Sequence, residues 1–193
     1  MNRNRTADEA GRLRRMAAEG WIAGARRVLS PNCDSRPPDT DVCLLVLHSI
    51  SLPRGTYGGD AIERLFTNRL DPAAHPSFAV LAGLRVSSHF LVRRDGALIQ
   101  FVPLERRAWH AGNSRWRGRE RCNDFSVGIE LEGTDDSGFA AAQYECLLKV
   151  FNKLQNLLPL REVAGHSDIA PGRKSDPGAG FDWARFLAGL AGR

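Results

Sequence analysis

The chain has 193 residues, 42% of them hydrophobic, which suits a single domain with one substantial core. No segment approaches the roughly 20 apolar residues of a membrane helix, and Met1 to Gly20 lacks the apolar stretch of a secretory signal, so no membrane association and cytoplasmic residence are expected. The net charge of +5 gathers in Met1 to Arg27, where seven arginines face only Asp8, Glu9 and Glu19, without the aromatic interleaving of a nucleic-acid surface.

Residues 1–20 are therefore expected to be a flexible basic arm, with Met16 an alternative start, ahead of one domain at 21–193. Cys33, Cys43, Cys122 and Cys146 form no CxxC pair and are expected as free thiols. A Pro/Asp/Ser-rich loop, Ser30 to Thr40, leads into the unbroken apolar run Val42 to Leu47, which reads as a strand buried on both faces and ending at His48. Asp60 to Leu70 carries Ile62, Leu65 and Phe66 at helical spacing, with Asp60 as the cap; the proline-containing 71–78 should be loop.

Ser88 to Val92 and Ala97 to Val102 flank an AspGly turn and predict an antiparallel hairpin. Along Phe125 to Leu131, alternation puts Phe125, Val127, Ile129 and Leu131 on one side and Ser126, Gly128 and Glu130 on the other. Leu147, Leu148, Phe151, Leu154 and Leu158 stripe a helix within Phe139 to Leu158, stopped by Pro159. A short strand at Glu162 to Ala164 leads to His166, and a Gly/Pro-rich loop, Pro171 to Gly180, precedes a last helix at Trp183 to Leu190. The fold class is α/β (α+β): a central mixed β-sheet flanked by helices.

His48 and His166 each follow an apolar strand-like segment, and Asp176 lies on a loop ten residues after His166. Two imidazoles and a carboxylate form a catalytic zinc set, since three protein ligands leave a fourth tetrahedral position for water. Lys174, two residues before Asp176, would stand beside such an ion and could stabilise an oxyanion. Glu130, on the polar side of its strand, could serve as general base. Each of these residues alone has a plainer reading as a core or surface group, and His75 and His89 are expected to be structural.

Several blocks then match together: residues 47–53 (LHSISLP), 71–76 (DPAAHP), 85–96 (RVSSHFLVRRDG), 107–112 (RAWHAG), 118–133 (GRERCNDFSVGIELEG) and 165–178 (GHSDIAPGRKSDPG). They cover most of Trp21 to Leu187. In them the chain resembles the type 2 N-acetylmuramoyl-L-alanine amidases, and most of all their cytosolic 1,6-anhydro-muropeptide branch. The resemblance implies the fold of phage lysozyme-amidases and peptidoglycan recognition proteins. It also implies one Zn²⁺ on His48, His166 and Asp176, and a catalytic pair, Glu130 and Lys174. Arg85 and Arg121 would hold the carboxylates of a small muropeptide, and Trp109 and His110 would line its groove. Ser49 stands where relatives carry Asn, a departure at a substrate contact, although Ser can still donate.

The implied protein is a monomer that cuts the lactyl to L-alanine amide in wall-fragment recycling and, where an inducible β-lactamase exists, lowers the inducing signal. The alternatives are an amidase of polymeric peptidoglycan and a binding module that does not cut.

Overall fold

In a computed structural model, which describes residues 19–191, the elements run β1 (Arg26–Arg27), β2 (Cys33–Ser35), β3 (Leu44–Ile50), α1 (Ala61–Phe66), a 3-10 turn (Pro76–Leu81), β4 (Phe90–Val92), β5 (Leu98–Gln100) and β6 (Arg106–Ala108). There follow β7 (Arg115–Trp116), β8 (Arg119–Glu120), a second 3-10 turn (Cys122–Phe125), β9 (Ser126–Glu132), α2 (Ala141–Gln155), β10 (Glu162–Gly165), α3 (His166–Ile169) and α4 (Trp183–Ala191). All but the last two residues of the expected basic arm, 1–20, lie outside the described residues.

Six strands form one sheet in the order β1-β5-β4-β9-β3-β10. Strands β4, β9, β3 and β10 run parallel, while β5 returns antiparallel beside β4, so the sheet is mixed as the sequence predicts. The apolar run that predicts a doubly covered strand is the start of β3, where Leu44 to Leu47 are wholly buried between β9 and β10. The strand begins two residues later than expected and continues past His48, because its ladder with β9 extends to the Ile50–Glu132 pair.

Parallel register aligns side chains across neighbouring strands. Leu45, Leu47, Val127, Ile129 and Leu131 fall on one face with Phe90 and Val92, and there they meet Tyr144, Leu147, Val150, Phe151 and Leu154 of α2 and Phe186 of α4. Each such side chain contributes roughly 1.5–3 kcal/mol by leaving water. The opposite face carries two smaller apolar clusters. One, around Leu91, Ile99 and Phe101, is capped by Ile62, Leu65 and Phe66 of α1; the other holds Leu44, Val46, Phe125, Ala164 and Ile169.

Phe125 thus lies on the opposite face from the one its alternation predicts, because it closes the second 3-10 turn and the strand begins only at Ser126. Two further expectations are corrected. Asp60 stands at the N-cap of α1 without a capping bond, its carboxylate taken instead by Arg64 Nε at 2.8 Å. Part of the expected 71–78 loop turns into the 3-10 element, since a proline is tolerated at a helical first position and the His75 ring accepts the Ser77 N–H. The long helix is confirmed with shorter ends.

Candidate metal centre and active site

Three chain segments converge on the sheet face that carries Ser126, Gly128 and Glu130. His48 stands within β3, 1% exposed, directly across the ladder from Glu130. His166 opens the one-turn helix α3, which forms because the Asp168 carboxylate accepts the Gly165 N–H at 2.7 Å and satisfies an amide at the helix start. Asp176 returns on the following loop. Its carbonyl accepts the Ser167 N–H at 2.9 Å, and Ser175 Oγ donates to Asp135 at 2.7 Å. Gly178, at φ 85°, packs so closely on Asp135 that a Cβ would come within 1.9 Å of its carbonyl oxygen, so this return path requires glycine.

The outcome is a triangle of ligand atoms: His48 Nδ1 to His166 Nδ1 at 2.9 Å, His48 Nδ1 to Asp176 Oδ2 at 3.1 Å, and His166 Nδ1 to Asp176 Oδ2 at 3.0 Å. It is the one group among the described residues with at least three side chains placed to hold a metal ion. The donor set fits a cation. Ring protons could serve the two contacts with the carboxylate but would leave the two nitrogens facing each other, whereas bare Nδ1 atoms and a carboxylate oxygen at these separations can share one ion.

Electrostatics agree. Burial pushes the His48 imidazole down to about 4, with the neighbouring Asp176 carboxylate only partly opposing, so the ring is neutral at pH 7. Burial alone would raise the Asp176 carboxyl, but its close contacts with the His166 and His48 rings outweigh it and hold the group below the usual carboxylate range. Glu130 goes the other way: burial, then the neighbouring Asp176 charge, push its carboxyl well above the usual range, with Lys174 opposing. Its Oε2 is buried and has no hydrogen-bond partner among the described residues. Such an atom costs stability, and groups of this kind cluster at functional sites, where the surrounding structure offsets the cost. Lys174 is exposed and lines a cavity of about 410 Å³ with Ser49, Arg54, Asp135, Arg173 and Asp176.

A family model described as N-acetylmuramoyl-L-alanine amidase matches residues 38–179, which carry every side chain of this cluster. The chain belongs to that amidase family. The 1,6-anhydro-N-acetylmuramyl-L-alanine amidase AmpD of Escherichia coli K12 is 57% identical over 170 residues, covering 87% of this chain and 93% of the relative. A crystal structure of an AmpD derivative superposes with a TM-score of 0.86 at 57% identity, covering 89% of this chain and 97% of the other. The amidase AmiD of Escherichia coli, solved in complex with anhydro-N-acetylmuramic acid-L-Ala-D-γ-Glu-L-Lys, gives a TM-score of 0.57 at 30% identity, over 80% of this chain and 60% of the other.

In this amidase, then, His48, His166 and Asp176 meet at one point, with Glu130 beside His48 in the ladder and Ser49 and Lys174 on the adjoining cavity. Arg85 is exposed and lines a separate cavity of about 150 Å³ beside Leu65, Leu70 and Leu81. Arg121 sits in the left-handed region at φ 60°, exposed, its Nε 3.3 Å from Asp124 Oδ2. Trp109 is half-buried, and its backbone bonds Asn32 and Ser87.

Both ring nitrogens of half-buried His110 are engaged by protein groups, Nδ1 with His48 Nε2 at 2.9 Å and Nε2 with Ser126 Oγ at 3.2 Å. Sequence reasoning missed Asn123 and Arg36. Asn123 Oδ1 accepts the N–H groups of both His110 and Ala111, and half-buried Arg36, lowered to about 10 by desolvation, donates to the carbonyls of Asn123, Asp124 and Ser126. Neither has a periodicity that would announce it, because both serve the backbone, and Asn123 lies in the matching block 118–133 with no role assigned to it there.

Proposed function

We propose that this chain is a zinc amidase that hydrolyses the amide between the lactyl group of 1,6-anhydro-N-acetylmuramic acid and L-alanine in small muropeptides. Its expected setting is the cytoplasm, as a monomer, in cell-wall recycling and, where the system exists, in restraint of β-lactamase induction. The family, the relatives acting on anhydro-muramyl amides and the ligand triangle support the reading. Among the described residues no helix is long and apolar enough to cross a membrane.

The observation that carries it is the orphaned Glu130 Oε2, a buried carboxyl oxygen without a partner among the described residues, beside three converging atoms that could hold a metal ion. His48, His166 and Asp176 would hold Zn²⁺, two nitrogens and an oxygen being a set that zinc accepts with one position left open. When bound, zinc supplies Lewis acidity, lowering the pKa of a water and polarising the amide carbonyl.

Glu130 takes a proton from the attacking water. It then delivers that proton to the departing L-alanine nitrogen as the C–N bond breaks. The Lys174 ammonium, on the solvent side of the same site, offsets the charge that gathers on the carbonyl oxygen. Water is thereby split across the amide, its oxygen going to the lactyl carboxylate and its protons to the amine. Ser49 on the cavity wall, together with Arg85, Arg121, Trp109 and His110, are the proposed substrate contacts.

The test is mass spectrometry of the products from a defined anhydro-muropeptide, with and without chelator, alongside metal analysis. Zinc near one per chain and chelator-sensitive release of the free peptide are expected. Asp176→Ala should lose the metal, whereas Glu130→Ala should keep it and lose nearly all turnover. Release from purified sacculi exceeding turnover of the soluble fragment would favour a polymer-acting enzyme instead. Fragment binding with no hydrolysis would reduce the chain to a recognition module.

A further inference from the structure

A neutral imidazole carries one N–H and one lone pair, and only the bare nitrogen can bind a cation. Both rings of the triangle present Nδ1, so both must carry their proton on Nε2. The contacts behind the rings trace to one place in the chain.

His166 Nε2 lies 3.2 Å from the carbonyl of Ala111, a group that can only accept, so the proton belongs on Nε2 and Nδ1 is bare. Arg173 Nη2 donates to the same carbonyl at 2.7 Å and fixes it from the other side. His48 Nε2 faces His110 Nδ1 at 2.9 Å, and either nitrogen could donate. The direction is set one step further back. Ser126 Oγ donates its only proton to the Cys122 carbonyl at 2.6 Å, which leaves it an acceptor toward His110 Nε2 at 3.2 Å. His110 thus carries its proton on Nε2, its Nδ1 accepts from His48 Nε2, and His48 Nδ1 is bare. Asn123 Oδ1 pins this pair of residues by accepting the His110 N–H at 3.1 Å and the Ala111 N–H at 2.8 Å. Gly128 leaves the His110 ring its room, since a Cβ there would come within 2.6 Å of the ring.

We propose that the dipeptide His110–Ala111, pinned by Asn123, sets the ring tautomer of both imidazoles in the metal cluster, His48 through the His110 side chain and His166 through the Ala111 carbonyl. His110 and Asn123 are accordingly positioning residues. The benefit to metal binding rests on the zinc reading above; the tautomers themselves do not.

Long-range ¹H–¹⁵N correlation spectra of the metal-free protein test the tautomers directly: both His48 and His166 should show the Nε2–H pattern, and an Nδ1–H pattern on either would overturn the proposal. Three substitutions then separate orientation from space filling. His110→Asn places Oδ1 near the Nδ1 position, so it should preserve the His48 pattern and hold zinc within about threefold of the parent, read by chelator competition. His110→Leu should mix the His48 tautomers and weaken zinc by about 10–100-fold. Ser126→Ala, a smaller change that leaves the fold intact even if the leucine variant does not, should also mix the His48 tautomers and leave His166 alone.

Zinc affinity in His110→Leu equal to the parent's, or in His110→Asn as weak as in His110→Leu, would refute the assignment. A parent protein with the expected tautomers but no zinc affinity would sink the zinc reading and leave tautomer control standing.

Discussion

On the helix side of the sheet, Val127, Ile129 and Leu131 of β9 enter a continuous apolar layer beneath α2 and α4; on the other side the residues between them, Ser126, Gly128 and Glu130, face a polar seam that holds His110 and His48. The same seven-residue strand supplies both. One side gains stability from non-directional burial that tolerates adjustment, while the other holds an unpaired carboxylate oxygen and rings whose hydrogen bonds run in a fixed direction. The difference teaches that stability and chemistry are separated by strand alternation rather than by distance along the chain.

That separation can be broken at specific points. Glu130→Gln should lower turnover by about 10²- to 10⁴-fold while leaving the unfolding midpoint equal or higher, because a buried, unpaired acid is replaced by a neutral amide. A marked fall in the midpoint with modest loss of rate would place Glu130 on the structural side. Leu147→Ala, on the helix side, should cost about 2–5 kcal/mol in denaturant unfolding and leave kcat per folded molecule unchanged. Loss of kcat there would show that the faces are coupled.

Gly128→Ala tests the seam's packing. The added methyl meets the His110 ring and Ser88 Oγ, so a loss of about 1–3 kcal/mol is expected together with weaker metal retention, and an unaffected variant would show that the seam has slack.

His89 carries a pH signature. Burial, and then the Arg36 charge, push its pKa from 6.5 to about 3, so below pH 6.5 the unfolded chain binds a proton that the native chain refuses. The contribution to stability is complete above pH 6.5 and declines as pH falls toward 3, with a slope approaching about 1.4 kcal/mol per pH unit. His89→Asn, which can still accept the Gly128 N–H that His89 Nδ1 takes, should flatten that slope in unfolding titrations between pH 6 and pH 4, about one proton's worth. The smallest effect is expected at Asp60→Ala, within about 0.5 kcal/mol, since the carboxylate caps nothing and only pairs with Arg64 on the surface.

Much of this architecture is legible in the sequence because apolar periodicity reports burial. The run at 42–47, the alternation at 125–131 and the stripe through Leu147, Phe151 and Leu154 each found their partner surface. What escaped has a common physical cause. Phe125 shares the strand's period but belongs to a turn, a difference set by where β9 starts pairing; the α3 turn depends on Asp168 reaching back to Gly165; Asp60 has a cap's identity and an arginine's company.

The ligand residues could be proposed from a pattern of types, with the resemblance strengthening it. Asn123, Arg36 and the Ala111 carbonyl could not, because a side chain that satisfies backbone amides looks like any polar residue until the loops are folded around it.

His48 and Glu130 are rungs of the same parallel ladder. The backbone interval between His48 and Glu130 is therefore inherited from interstrand spacing, about 4.8 Å, and no loop has to measure it. Insertions between the strands could lengthen or reshape the groove, and with it the choice of substrate, while that interval stays fixed. Only a slip of β3 against β9 would disturb it, and a one-residue slip would also turn a buried apolar layer outward.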